Sequence, residues 1–208
     1  MRAKSLLKKG ALAALGVVCG MGAVIGYRAV VAEFRANAGA APSAQAAAAP
    51  VGAPATLVIP AIGVSAPVTA VGIAKDGSLG VPSDAIHVAW YKYGPKPGEP
   101  GAAVIDGHLD TIHAPEAVFY NLDKLAPGDE LDVVTAAGQK LVFKVTGTET
   151  LPYDATTSAI FTTTSTVPEL NLITCAGDWV KAIKLYNERF VVFSELVSSS
   201  AASSSSSS

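Results

Sequence analysis

Between Thr56 and Val197 the chain alternates apolar and polar positions in short runs, each closed by proline, glycine, aspartate or serine. That period of two is the signature of half-buried strands. "TLVIP" (Thr56–Pro60) is a short strand stopped by proline, and "APVTAVGI" (Ala66–Ile73) alternates up to the turn "KDGS". "IHVAWY" (Ile86–Tyr91) is rich in β-branched and aromatic residues, and the Pro/Gly loop "YGPKPGEPG" follows. "AAVIDGH" (Ala102–His108) is a strand running into a loop. "QKLVFKVTGTET" (Gln139–Thr150) sends Leu141, Phe143 and Val145 to one side. "ELNLITC" and "RFVVFSEL" supply the last strong strands, with Ala176-Gly177-Asp178 reading as the turn that leaves Cys175 at a strand end. One segment breaks the pattern: Pro115–Leu125 has proline near its start and Val118, Leu122 and Leu125 on one face, which predicts a helix. Many short strands separated by turns predict an all-β fold, a closed barrel or a sandwich.

The two ends depart from this pattern. Residues 1–9 carry Arg2, Lys4, Lys8 and Lys9, and an apolar run to Tyr27 follows. A basic flank before an apolar run is the mark of a segment inserted with its N-terminus in the cytoplasm. Two readings compete. A cleaved signal peptide would use the small residues of Ala36-Asn37-Ala38, but Arg28, Glu33 and Arg35 stand between the apolar run and that site. An uncleaved membrane helix over 10–31 fits the charges better, although an apolar run of about 17 residues is short for a span. Either route places the domain outside the cytoplasm; the anchor reading makes the chain a single-pass protein of the cell membrane. Residues 32–54 are rich in alanine and proline and read as a flexible linker, 55–197 as the folded domain, and 198–208 as a disordered serine-rich tail.

Composition narrows the function. The net charge is −2, and the only basic block is N-terminal, which argues against nucleic acid as a partner. Of the two cysteines, Cys19 falls in the apolar N-terminal run, so Cys175 is the lone thiol of the domain. In an oxidising compartment a free thiol invites oxidation unless it has a use. His108 and Arg189 also stand at strand ends or in late strands. A thiol is a nucleophile only as thiolate, an imidazolium favours that form and later gives a proton to a leaving amine, and an arginine holds a developing oxyanion with fixed N–H donors. The three together suit attack on an amide through a thioester. From residue types alone, Cys175 as a buried small hydrophobe and Arg189 as an edge residue paired with Glu188 or Glu195 stand beside that reading.

The surrounding residues weigh in. "VIDGHLDT" (Val104–Thr111), "NLITCAGDW" (Asn171–Trp179) and "YNERFVVFSEL" (Tyr186–Leu196), with "IPAIGVSAPV" and "GSLGVPSD" before them, resemble the sortases, cysteine transpeptidases anchored to the membrane of Gram-positive cells. The resemblance covers Thr56–Val197 and leans towards the actinobacterial class F or class E types. It implies a closed eight-stranded β-barrel with one or two short helices. Cys175 would be the nucleophile, His108 the general acid/base and Arg189 the holder of substrate or oxyanion, with Thr174 contributing to substrate binding. It implies cleavage of an LPxTG-like sorting signal between threonine and glycine. The acyl group would pass to an amine of a peptidoglycan precursor or a pilin.

Other residues have plainer readings. Asp110 either orients the imidazole or caps its loop, His87 and His113 are structural or solvent-facing, and Trp90 and Trp179 are core or groove-wall aromatics. The acids Asp123, Asp129, Glu130 and Asp132 show no spacing that demands calcium, so no metal or other cofactor is expected. A zinc hydrolase using His108, Asp110 and His113 would leave Cys175 unexplained. An L,D-type transpeptidase would need a Ser-x-Gly-Cys context, where this chain has Leu172-Ile173-Thr174. A sortase-like surface module that binds without turnover is the remaining alternative.

Overall fold

The computed structural model describes residues 50–155 and 158–201. Eight strands close into a barrel. They are β1 (Pro54–Ile59), β2 (Val64–Val71), β3 (Val88–Tyr91), β4 (Ala102–Asp106), β5 (Glu130–Thr135), β6 (Lys140–Pro152), β7 (Glu169–Val180) and β8 (Leu185–Ser200). Their order around the barrel is β1-β2-β3-β4-β7-β8-β6-β5. Most neighbours are antiparallel, but β2–β3 and β4–β7 run parallel. The β4–β7 pair needs a long excursion between its members, and β5, β6 and the short helix α1 (Ser158–Phe161) fill it.

The alternation read from the sequence explains the interior. Leu141, Phe143 and Val145 of β6 are all buried inside, beside Leu57, Ile105, Leu131, Leu170 and Leu172. β4 is apolar on both faces because both are covered. Ala103 and Ile105 point inward, while Val104 joins Ile160, Ile173 and Val191 in a second cluster under α1. Buried Asn171 anchors that helix by donating to the Ile160 carbonyl at 2.8 Å.

Three expectations need correction. Pro115–Leu125 is not a helix. Its amides are drawn to distant carbonyls: Ala117 donates to Leu109, Val118 to Ala85 and Phe119 to His108. Only the 3-10 turn Leu122–Lys124 forms, and it still buries Leu122 and Leu125. Second, β7 does not stop at Cys175. It passes through a bulge between Ala176 and Trp179, where Gly177 takes φ +76°, and stays paired with β8 to Val180. Third, the chain does not leave the fold at Ser198, because Ser198, Ser199 and Ser200 pair with Val142, Leu141 and Lys140 of β6. The segments 1–9 and 10–31 and most of the linker lie outside the described residues. Among the described residues no helix is long and apolar enough to cross a membrane.

Candidate active site

Strand parity places the chemistry. On β7, Leu170 and Leu172 face the interior and Ile173 faces the outer cluster, so Cys175 is on the outer face and Thr174 on the inner. On β8, Val191 is outer and Phe190 packs inward, so Arg189 is outer as well. Cys175 and Arg189 are direct cross-strand partners. Side chains at such positions start about 5 Å apart on one face. On the other side of β7, Asp106 of β4 stands opposite Ile173, and parity puts its carboxyl on this face too.

A cleft of about 330 Å³ opens at Cys175. Leu109, Phe119, Tyr120 and Asp123 line it from the loop after β4, and Glu188 and Phe190 from β8. Thr174 and Cys175 form part of its wall, whereas His108 and Arg189 stand outside the lining.

His108 opens the loop after β4. Its position is set by Gly107, whose N–H donates to the Ile173 carbonyl at 3.2 Å and whose own carbonyl accepts from the Thr174 hydroxyl at 2.7 Å. A Cβ at Gly107 would stand 2.4 Å from the ring of buried Phe119, so only glycine lets the loop lie this close. The His108 ring is held by Nε2 against the Pro82 carbonyl at 2.9 Å. A carbonyl only accepts, so Nε2 carries the proton and Nδ1 is the basic nitrogen of the neutral ring. Among the described residues no hydrogen bond joins the imidazole to the thiol.

The sequence-predicted residues therefore divide. Cys175 and Arg189 are brought together directly, and His108 is carried beside them on the neighbouring strand's loop. The hydroxyl of Thr174 is committed to Gly107 and the residue is buried, so its visible task is to hold the His108 loop to β7. Asp110 makes no hydrogen bond to the imidazole. It accepts instead from the Tyr186 hydroxyl at 2.5 Å. His87 pairs with Asp84, Trp90 is in the core with its N–H on the Pro95 carbonyl, and Trp179 is 52% exposed rather than part of the core. Among the described residues no three His, Cys, Asp or Glu side chains are grouped to hold a metal.

The electrostatics are mixed. Burial pushes the Cys175 thiol up, the Arg189 cation pulls it down, and the anions of Asp106 and Asp110 push it up again. The thiol form is thus favoured at neutral pH. Asp106 is itself pushed up to about 7 by burial, against the pull of Arg189. Arg189 donates through Nη1 to the carbonyls of Glu188, at 2.7 Å, and Tyr186, at 3.2 Å, which fixes the guanidinium along its own strand. Asp106, Gly107 and Tyr186 are the participants that pattern reading missed. An acid ending an otherwise apolar strand, two residues before a candidate histidine, was the available signal for the first.

Comparison with known proteins identifies the family and the fold. The family model of the sortase domain matches residues 57–197. The fold is similar to that of sortase C2 of Group B Streptococcus pilus island 1, at 20% identity and a TM-score of 0.54, covering 69% of this chain and 73% of that one. It is similar also to a lid mutant of sortase A from Corynebacterium diphtheriae, at 20% identity and a TM-score of 0.55, with 74% and 75% covered. A lid mutant of Streptococcus agalactiae sortase C1 gives 20% identity and a TM-score of 0.55, with 84% and 85% covered. No curated protein matches the chain significantly. With the family model matching residues 57–197, all but the outer ends of the barrel's first and last strands, this chain belongs to the sortase family.

Proposed function

We propose that the chain is a cysteine transpeptidase that cleaves an LPxTG-like sorting signal and joins the freed carbonyl to an amine. The observation that carries this reading is the direct pairing of Cys175 with Arg189 at a cleft whose rim includes the His108 loop. Sγ attacks the threonine carbonyl as thiolate, and the carbonyl π electrons move onto oxygen. Arg189 faces that developing charge with a cation that cannot be neutralised. As the C–N bond breaks, the imidazolium of His108 gives its proton to the departing glycine amine, leaving a thioester on Cys175. An incoming amine attacks the thioester, His108 takes its proton, and the thiolate leaves. Thr174 supports the reaction by keeping the His108 loop against β7, and its edge of the cleft is a candidate substrate contact.

Residues 10–31 as a membrane helix and 32–54 as a tether would hold the barrel on the outer side of the cell membrane. There it would meet sorting-signal proteins and peptidoglycan-precursor or pilin amines at high effective concentration. The sequence features of class F or class E sortases belong to this reading. A panel of quenched LPxTG-like and LAxTG-like peptides, with and without an added amine, tests it. We expect cleavage that turns into amine-linked product and that falls at least a thousandfold in Cys175→Ala. Equal cleavage by the alanine variant would reject the assignment of the nucleophile.

A further inference from the structure

The His108 loop is tied to the β7–β8 pair at two points, one on each side of the histidine. Before it, the Thr174 hydroxyl donates to Gly107. After it, the Tyr186 hydroxyl donates to Asp110 Oδ2 at 2.5 Å. The rest of the loop folds back on itself, with Phe119 donating to the His108 carbonyl and Ala117 to the Leu109 carbonyl. Leu109, between histidine and aspartate, lines the cleft.

Tyr186 is placed for a double task. It sits on the part of β8 that pairs with β7 beyond the bulge, opposite Trp179, whose ring meets its ring edge-on with centroids 5.4 Å apart. That stacking holds the phenol in one direction. Its backbone carbonyl accepts from Arg189 Nη1, and its hydroxyl reaches the His108 loop. One residue therefore touches both the arginine and the loop that carries the histidine. The phenol is pushed up to about 12, chiefly by its bond to Asp110, so it remains a donor at neutral pH.

We propose, resting on the transpeptidase reading above, that Tyr186 and Asp110 form a latch that fixes the His108 loop against the β7–β8 hairpin. Both are positioning residues, which set where the imidazole stands relative to Cys175 and Arg189. Neither contributes a proton to the reaction.

The test uses the full chain with Tyr186→Phe, Asp110→Ala, which unlike asparagine leaves the tyrosine no acceptor, and the double variant. Misplacing a catalytic group by about 1 Å costs roughly a hundredfold. We expect each single variant to lose about ten- to a hundredfold in kcat with KM little changed. The double variant should be no worse than the more damaged single, because both remove one bond. Hydrogen exchange of residues 107–119 should rise about tenfold in all three, with the barrel strands unchanged. Asp110→Ala should also lower the pH midpoint of Cys175 alkylation, since it removes one of the anions that push the thiol up. Tyr186→Phe keeps that anion and should not lower it.

Unchanged exchange and kcat in Tyr186→Phe would overturn the latch, as would losses that multiply in the double variant. If the wild-type chain cleaves no peptide, the transpeptidase reading falls. Exchange in residues 107–119 then decides the latch by itself.

Discussion

At the scale of single residues, the site is governed by what surrounds the thiol. Burial pushes the Cys175 thiol up, and Asp106 and Asp110 add to that push against the pull of Arg189, so its thiolate is a minority species at neutral pH. Asp106 is the more unusual of the two anions. It ends a strand covered on both faces, and its carboxyl is raised from 3.8 to about 7. The folded state therefore disfavours its ionisation. Stability from this residue is highest below the unfolded value near 4 and is lost as pH rises through about 7, after which the loss is constant. The rise corresponds to a ceiling of about 4 kcal/mol, which water at this half-buried position reduces. We expect Asp106→Asn to be more stable than wild type by about 1–2 kcal/mol at pH 8, with the difference vanishing below pH 4. Urea unfolding across that range measures it. The same substitution should speed alkylation of Cys175 at pH 7, because an anion beside the thiol is gone. Equal stability of the two proteins at pH 8 would show that Asp106 ionises in the fold without cost.

At the scale of elements, the site depends on how one strand hands over to its loop. β4 ends at Asp106, and Gly107 must pass against Phe119 before His108 can turn towards Pro82. A methyl group at Gly107 meets the ring of a fully buried phenylalanine, which cannot swing into solvent. We expect Gly107→Ala to cost about 1–3 kcal/mol, the usual cost of overpacking. We also expect it to reduce turnover beyond that loss, because the loop that moves carries the histidine. Thermal unfolding and kcat on the same sample separate the two effects. Wild-type stability and activity would mean that Phe119 repacks freely.

The same element shows what was legible in the sequence. Cys175, His108 and Arg189 could be singled out because their neighbours resemble a known set and because each stands at or beside the edge of a run that reads as a strand. The latch was not. Tyr186 and Asp110 are 76 positions apart, and no local pattern joins them. The helical period of Pro115–Leu125 misled because apolar spacing reports which residues are buried and not where their amides bond. Val118, Leu122 and Leu125 do pack against the core, on a chain whose first amides serve the His108 loop and Ala85. Gly177 read as a turn, but seen from the partner strand it is a bulge that lets β7 continue.

At the scale of the molecule, closure of the barrel puts distant segments side by side. The parallel β4–β7 pair brings the histidine loop next to the cysteine strand, and β8 lies on the cysteine's other side. That the domain is built of short strands was foreseeable from the alternating runs, and their number from the family resemblance, whereas the strand order and the serine pairs that finish β8 were not, because serine carries little patterning signal. The central claim is that this arrangement makes Cys175 an acyl carrier. Intact-mass measurement of the protein mixed with a sorting-signal peptide tests it most directly. We predict a wild-type adduct equal to the peptide up to its threonine, localised to Cys175, released by hydroxylamine and missing in Cys175→Ala. Peptide cleavage with no adduct at Cys175, or an adduct that persists in the alanine variant, would contradict the account.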